Sequence, residues 1–226
     1  MFQAFFFDMD GVVFDSMPVH AQAWETVMSE HGLPFSARDC YLQEGRTGQS
    51  VIDECFLRAR GRHAEEHEWQ TIYRQKTDLF HSHGQAPLIP GIRDLLYWLH
   101  DLPSHPQIFL VTGSGQQTLF DELQQVLPGI FARQNMVTAF DYTHGKPDPE
   151  PYLIAFSKAR QACPTLTKSD CCVVENAPLG VQSAKAAGLF AAAVNTGILT
   201  QADLSAAGAD RTFPDMPALH AFLATL

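Results

Sequence analysis

The chain has 226 residues, 46% of them hydrophobic and 18% charged, enough for one sizeable domain or a core with a smaller insertion. Its formal net charge of -10 excludes nucleic acid or an anionic membrane surface as the main partner, because both demand clustered Lys and Arg. No apolar run approaches the ~18 residues that cross a bilayer, MFQAFFFDMD lacks the basic start of a signal peptide, and Cys40, Cys55, Cys163, Cys171 and Cys172 show no CxxC spacing. Reduced thiols and a cytoplasmic location are therefore expected.

In chain order, residues 2–8 form an apolar run stopped by Asp8, Asp10 and Gly11, the pattern of a strand buried in a parallel sheet. Ser16 is placed to cap a helix with Pro18 in its first turn, and Trp24, Val27, Met28 and His31 share a face before Gly32 ends it. Helical patterns follow at 50–60 and 65–80, the second with Trp69, Ile72, Tyr73, Lys76 and Phe80 on one side. No strand pattern intervenes. Apolar runs then recur at QIFLVT (107–112), NMVTA (135–139), CCVVE (171–175) and FAAAV (190–194), each followed by turn residues and a helical pattern. This order predicts an α/β protein with a doubly wound, Rossmann-like parallel sheet, whose ligands bind beyond the carboxyl ends of the strands. Residues 1–15 and 87–226 would form the α/β catalytic core and residues 16–86 an inserted all-helical cap, hinged near 14–17 and 84–90.

Ending an apolar strand on two acids costs several kcal/mol unless hydrogen bonds or a cation compensate them. Asp8 is placed to attack phosphorus as a nucleophile. Asp10, two residues on, can protonate a leaving oxygen and later deprotonate water. A solvated strand-end turn explains DxDG equally well. Thr112, Gly113 and Ser114 offer a hydroxyl and amides for phosphate oxygens, although many βα turns look similar. Lys146, fixed by Pro147, offers a point charge or is an ordinary loop lysine. Glu175 and Asn176 suit an oxygen-loving Mg²⁺, or mark a helix start with Asn176 as N-cap. His63, Glu66 and His67 match a zinc-protease pattern formally, but the third ligand that chemistry needs is missing, and a solvated helix explains them.

Together, DMDGV (8–12), VTGS (111–114), GKPDPEPY (145–152) and VVENAPLGVQSAKAAG (173–188) resemble, in order and position, the motifs of the haloacid dehalogenase superfamily of phosphotransferases. The resemblance implies that Asp8 is nucleophile and Mg²⁺ ligand, that Asp10 is a ligand through its carbonyl and an acid/base through its side chain, and that Thr112 and Lys146 bind the phosphoryl group. Gly113 and Ser114 would line the substrate, and Glu175 and Asn176 would complete the metal site. An acid at position 10 argues against dehalogenation. Asn176 departs from the family's more usual aspartate, so Asn176→Asp is expected to tighten Mg²⁺.

The insertion point resembles the β-phosphoglucomutase-like branch, with His20 and Trp24 of DSMPVHAQAW at matching cap positions. EGRTGQS (44–50) would face the site, with Arg46 contacting a second anionic or polyhydroxyl group or remaining a surface arginine. This loop and VTGSGQQ (111–117) look closer to the branch's phosphatases than to its mutases. The expected function is a Mg²⁺-dependent phosphomonoester phosphatase acting through an aspartyl-phosphate on a small phosphorylated metabolite such as a sugar phosphate. No protein partner is required, and a monomer is consistent. The alternatives are a sugar phosphomutase and a catalytically idle binding or regulatory module.

Overall fold

Phe5, Phe6 and Phe7 are fully buried because their strand, β1 (Ala4–Phe7), lies inside a parallel sheet covered on both faces. The computed structural model describes residues 1–115 and 119–226. Gln116 and Gln117, part of the VTGSGQQ comparison, lie outside the described residues. Among the described residues the sheet has six strands, ordered β3-β2-β1-β4-β5-β6. The others are β2 (Gln107–Val111), β3 (Met136–Val137), β4 (Cys171–Glu175), β5 (Phe190–Val194) and β6 (Arg211–Phe213).

Side chains alternate between two cores, as the period of two demands. Phe5, Phe7, Leu110, Val174 and Val194 face α5 (Ile92–Asp101), α6 (Leu119–Val126) and α10 (Met216–Leu223). Phe6, Phe109, Val111, Val173 and Ala193 face α7 (Glu150–Ala162), α8 (Pro178–Ala186) and α9 (Gln201–Ala206). The chain winds one way from β1 to β2 and the other way to β4, so the order reverses at β1. Open α/β sheets bind ligands at such a point. The strand β6 carries no apolar run, only the edge sequence RTF, and sequence patterning did not predict it.

Four helices are inserted between β1 and α5: α1 (Met17–Glu30), α2 (Ala37–Leu42), α3 (Gly48–Arg60) and α4 (Glu66–Ser82). They form a helical cap with a third hydrophobic cluster that includes Trp24, Met28, Ile52, Phe56 and Ile72. Helix α2 was also not predicted. Six residues are too few to show a period, and what fixes them is the capping box between Ser36 and Asp39. The two connections run side by side, with Asp15 N donating to Pro87 O at 2.8 Å and Ile89 N to Val13 O at 2.9 Å. No helix among the described residues is long and apolar enough to cross a membrane. All five cysteines are free, four of them buried and Cys163 partly exposed.

Neither expected side-chain cap forms. Ser16 precedes α1 but makes no cap bond; its hydroxyl donates to Asp10 Oδ1 at 2.5 Å, a stronger bond because the acceptor is a carboxylate. The N-cap of α8 is Ala177 rather than Asn176, which leaves the Asn176 side chain for the site.

Candidate active site

Three neighbouring strands end together. Phe7 is level with Leu110 and with Val174, so Asp8, Thr112 and Glu175 gather at the carboxyl edge of β1, β2 and β4. The turn after Asp8 requires Gly11, whose φ is +75° and where a Cβ would lie 2.1 Å from Asn176 Nδ2.

Lys146 ties the group together from the loop before α7. Its Nζ donates to Asp8 Oδ1 at 2.5 Å and to Glu175 Oε1 at 2.6 Å, with all three side chains buried. Tyr152, on the first turns of α7, donates its hydroxyl to the same Glu175 oxygen at 2.5 Å, and Asn176 N donates to Glu175 Oε2 at 3.2 Å. Both carboxylate oxygens of Glu175 thus have protein donors, and Gly180 packs directly against them. The sequence suggested a metal ligand here; in the structure Glu175 also anchors Lys146. Burial opposes the Lys146 charge, yet Asp8 and Glu175 hold its pKa well above the ordinary lysine value.

The carboxylates outnumber that cation. Burial, and then the charges of Glu175 and Asp10, raise Asp8 to about 7 against the pull of Lys146. Glu44 from the cap is likewise pushed well up by burial, then by Asp8, Glu175 and Asp10. Asp10 goes the other way: burial works against its charge, but His20 and Ser16 hold its pKa below the ordinary value.

Asn176 Oδ1 is buried and has no hydrogen-bond partner among the described residues. Surplus negative charge and an orphaned amide oxygen are what a hard cation would satisfy, so the residues fit Mg²⁺. Among the described residues no three His, Cys, Asp or Glu side chains form a preformed cage. His63 pairs with Asp53 and His67 with Glu65, so the zinc-like pattern gathers nothing.

The cap contributes a second chain of contacts. Lys76 Nζ lies 2.7 Å from His20 Nδ1, and His20 Nε2 lies 3.5 Å from Asp10 Oδ1, with the imidazole stacked on Phe80 at 4.0 Å. An ammonium has only protons to give, so Nδ1 accepts and the ring presents Nε2–H to Asp10. Lys76 is 6% exposed, and burial lowers its pKa to about 8.

Thr112 Oγ1 accepts from Ser114 N at 3.0 Å, leaving its own O–H as a donor, and Gly113 and Ser114 line the cleft. Trp24 lines the cleft from the cap. Arg46 lines the cleft as well, with its guanidinium bonded to Gln43, Ser50 and Glu54 of the cap. The cleft between cap and core holds about 1050 Å³.

Sequence patterning missed Ser16, Glu44, Lys76 and Tyr152 as site residues. Lys76 carried a signal, a cation within an apolar stripe, but that also describes a lysine whose stem snorkels to water.

Residues 2–188 match the family model of haloacid dehalogenase-like hydrolases. The chain is 29% identical over 223 residues to 2-deoxyglucose-6-phosphate phosphatase 1 of Saccharomyces cerevisiae, covering 93% of this chain and 86% of that protein. It is 25% identical over 195 residues to a fructose-1-phosphate phosphatase of Escherichia coli, covering 82% and 92%. A solved structure described as a putative beta-phosphoglucomutase from Bacteroides vulgatus is 42% identical, with a TM-score of 0.89 over 99% of this chain and 88% of that one. With the family's model matched from β1 through α8, where every core residue of the site lies, the chain belongs to the haloacid dehalogenase-like hydrolases.

Proposed function

We propose that the chain is a Mg²⁺-dependent phosphatase that hydrolyses a small sugar phosphate through an aspartyl-phosphate on Asp8, with residues 16–86 acting as the cap over the substrate. The observation that carries this is Asp8 itself: a buried carboxylate at the switch point of the sheet, 2.5 Å from Lys146 and next to a second acid. The two named relatives act on phosphorylated sugars, which supports the substrate class. The free cysteines fit a reducing, cytoplasmic setting.

Asp8 Oδ attacks phosphorus as the bond to the ester oxygen breaks, and Asp10 gives its proton to that oxygen. In the resting site His20 and Ser16 keep Asp10 ionised. The incoming phosphate dianion favours its protonated form by like-charge repulsion. Asp10 then takes a proton from water, which attacks the same phosphorus and releases phosphate from Asp8. Lys146, held by Glu175 and Tyr152, offsets charge on the phosphoryl oxygens, and the Thr112 hydroxyl and the Gly113–Ser114 turn bind them. Asp8, the Asp10 backbone carbonyl and Asn176 Oδ1 would hold Mg²⁺, which supplies charge neutralisation at the phosphoryl group.

The second reading is a sugar phosphomutase. It is favoured by the Lys76–His20–Asp10 chain, which links cap to acid/base, and by the description of the 42%-identical structure. The test is a panel of sugar phosphates with Mg²⁺, including β-glucose 1-phosphate with a trace of glucose 1,6-bisphosphate, followed for both free phosphate and glucose 6-phosphate. Phosphate release is expected to dominate. Isomerisation outrunning it by a large factor overturns the phosphatase reading.

A further inference from the structure

We propose that Glu44, on the cap loop between α2 and α3, is a positioning residue of the metal site: it orients the Asn176 amide and returns the negative charge that an amide in place of a carboxylate removes. Cation binding in the core then depends on the cap being seated. The inference rests on the Mg²⁺ reading above and goes beyond it.

Asn176 is 4% exposed, and its Nδ2 donates to Glu44 Oε2 at 3.1 Å. Here the amide nitrogen donates and Glu44 accepts, so Oδ1 is the end of the amide turned away from Glu44. Flipped, the amide would set its oxygen against Glu44. In the orientation this bond sets, Oδ1 is the buried atom without a partner among the described residues. Leaving it so keeps the desolvation penalty of a buried acceptor, which a cation removes.

The loop is built to reach the core. Gly45 has φ +94°, and a Cβ there would lie 2.9 Å from Lys146 Cβ; a Cβ on Gly145 would lie 3.3 Å from the Gly45 carbonyl. Glycine on both sides lets the two backbones approach closely enough to put Glu44 over Asn176.

Nothing on the cap explains the acid. Asp39, Glu54 and Glu68 pair with Arg58, Arg46 and Arg62 on the cap itself. Among the described residues, the one hydrogen bond Glu44 makes is to Asn176. A carboxylate delivered beside Asp8, Asp10 and Glu175 is repelled unless a positive charge sits among them.

This revises the expectation for Asn176→Asp. With Glu44 in place, the new carboxylate meets another across the 3.1 Å contact, so the substitution alone does not tighten the cation. It does so when Glu44 is also neutralised.

The test is Mn²⁺ binding to the full chain without substrate, read by electron paramagnetic resonance and calorimetry, for wild type, Glu44→Gln, Asn176→Asp, the double variant and Glu54→Gln as a cap control. Losing an outer partner of a metal ligand costs ~10- to 100-fold in affinity, and that is the expected loss for Glu44→Gln. Asn176→Asp is expected to bind no tighter than wild type, the double variant to regain most of the loss, and Glu54→Gln to stay within about two-fold, because its partner Arg46 is on the cap itself. Equal affinity of folded Glu44→Gln and wild type overturns the inference while leaving the Mg²⁺ reading intact. Tightening by Asn176→Asp alone overturns it too, without needing Glu44→Gln to fold. Wild type that binds no Mn²⁺ overturns the Mg²⁺ reading and the inference with it.

Discussion

Lys76 brings an ammonium into the cap at a cost that can be measured. Burial lowers its pKa from the ordinary 10.5 to about 8, opposed weakly by Cys40 and Asp10. That gap corresponds to ~3 kcal/mol against the charged form at neutral pH. The rings of Trp24 and Phe80, 5.3 and 5.0 Å from Nζ, and the bond to His20 return part of it. Each ring contact is worth ~0.5–1 kcal/mol, so the net cost is ~1–2 kcal/mol. Methionine keeps the stem and drops the charge, so Lys76→Met is expected to stabilise the metal-free protein at pH 7 by that amount, raising Tm by ~3–6 °C for a chain of this size. The unfolded chain keeps this proton up to pH 10.5 and the folded chain releases it near pH 8. The penalty is therefore full below pH 8, fades between 8 and 10.5, and is gone above. The advantage of methionine should shrink across that window, as measured by urea denaturation at a series of pH values. A Lys76→Met protein less stable than wild type at pH 7, or a difference flat from pH 7 to 10, would refute the reasoning. Turnover should fall in the same variant, since His20 loses the donor that fixes its ring.

Three further outcomes follow from the site's geometry. A methyl on Gly180 would sit 2.0 Å from Glu175 Oε1, so Gly180→Ala must displace the anchor of Lys146; overpacking of this kind costs ~1–3 kcal/mol, and wild-type melting with wild-type turnover would contradict it. Tyr152→Phe removes a 2.5 Å donor to a buried carboxylate and should cost ~1–3 kcal/mol in denaturant unfolding. Asp10→Asn should lose ~10²- to 10⁴-fold in kcat/KM on sugar phosphates but much less in kcat/KM on p-nitrophenyl phosphate, whose leaving group needs no proton; equal kcat/KM losses on both would remove the acid role.

The sheet was legible where burial on both faces wrote itself as apolar runs. All five runs appear as strands, with Asp8, Thr112 and Glu175 at their carboxyl ends. The strand β6 and helix α2 were not, because one is set by pairing to β5 and the other by a local cap rather than by a period. The core motifs placed Asp8, Lys146 and Glu175 together, but that Tyr152 bonds Glu175 and Gly180 packs against it is seen only in the packing. The cap was harder still. Glu44, Lys76 and Arg46 lie on a loop and a helix whose sequence says they are polar, and only the packing shows that Glu44 reaches Asn176 of the core, Lys76 reaches His20 and Arg46 bonds Glu54.

The central claim is that Asp8 carries the phosphoryl group. Asp10→Asn mixed with Mg²⁺ and p-nitrophenyl phosphate should form the phosphoenzyme without an acid and hydrolyse it slowly for want of a base. After an acid quench, borohydride reduction and peptide mass spectrometry are expected to find position 8 converted to homoserine, with a burst of p-nitrophenolate matching one phosphoryl group per chain. A reacting enzyme with unmodified Asp8, or with the modification at any other residue, would contradict the account.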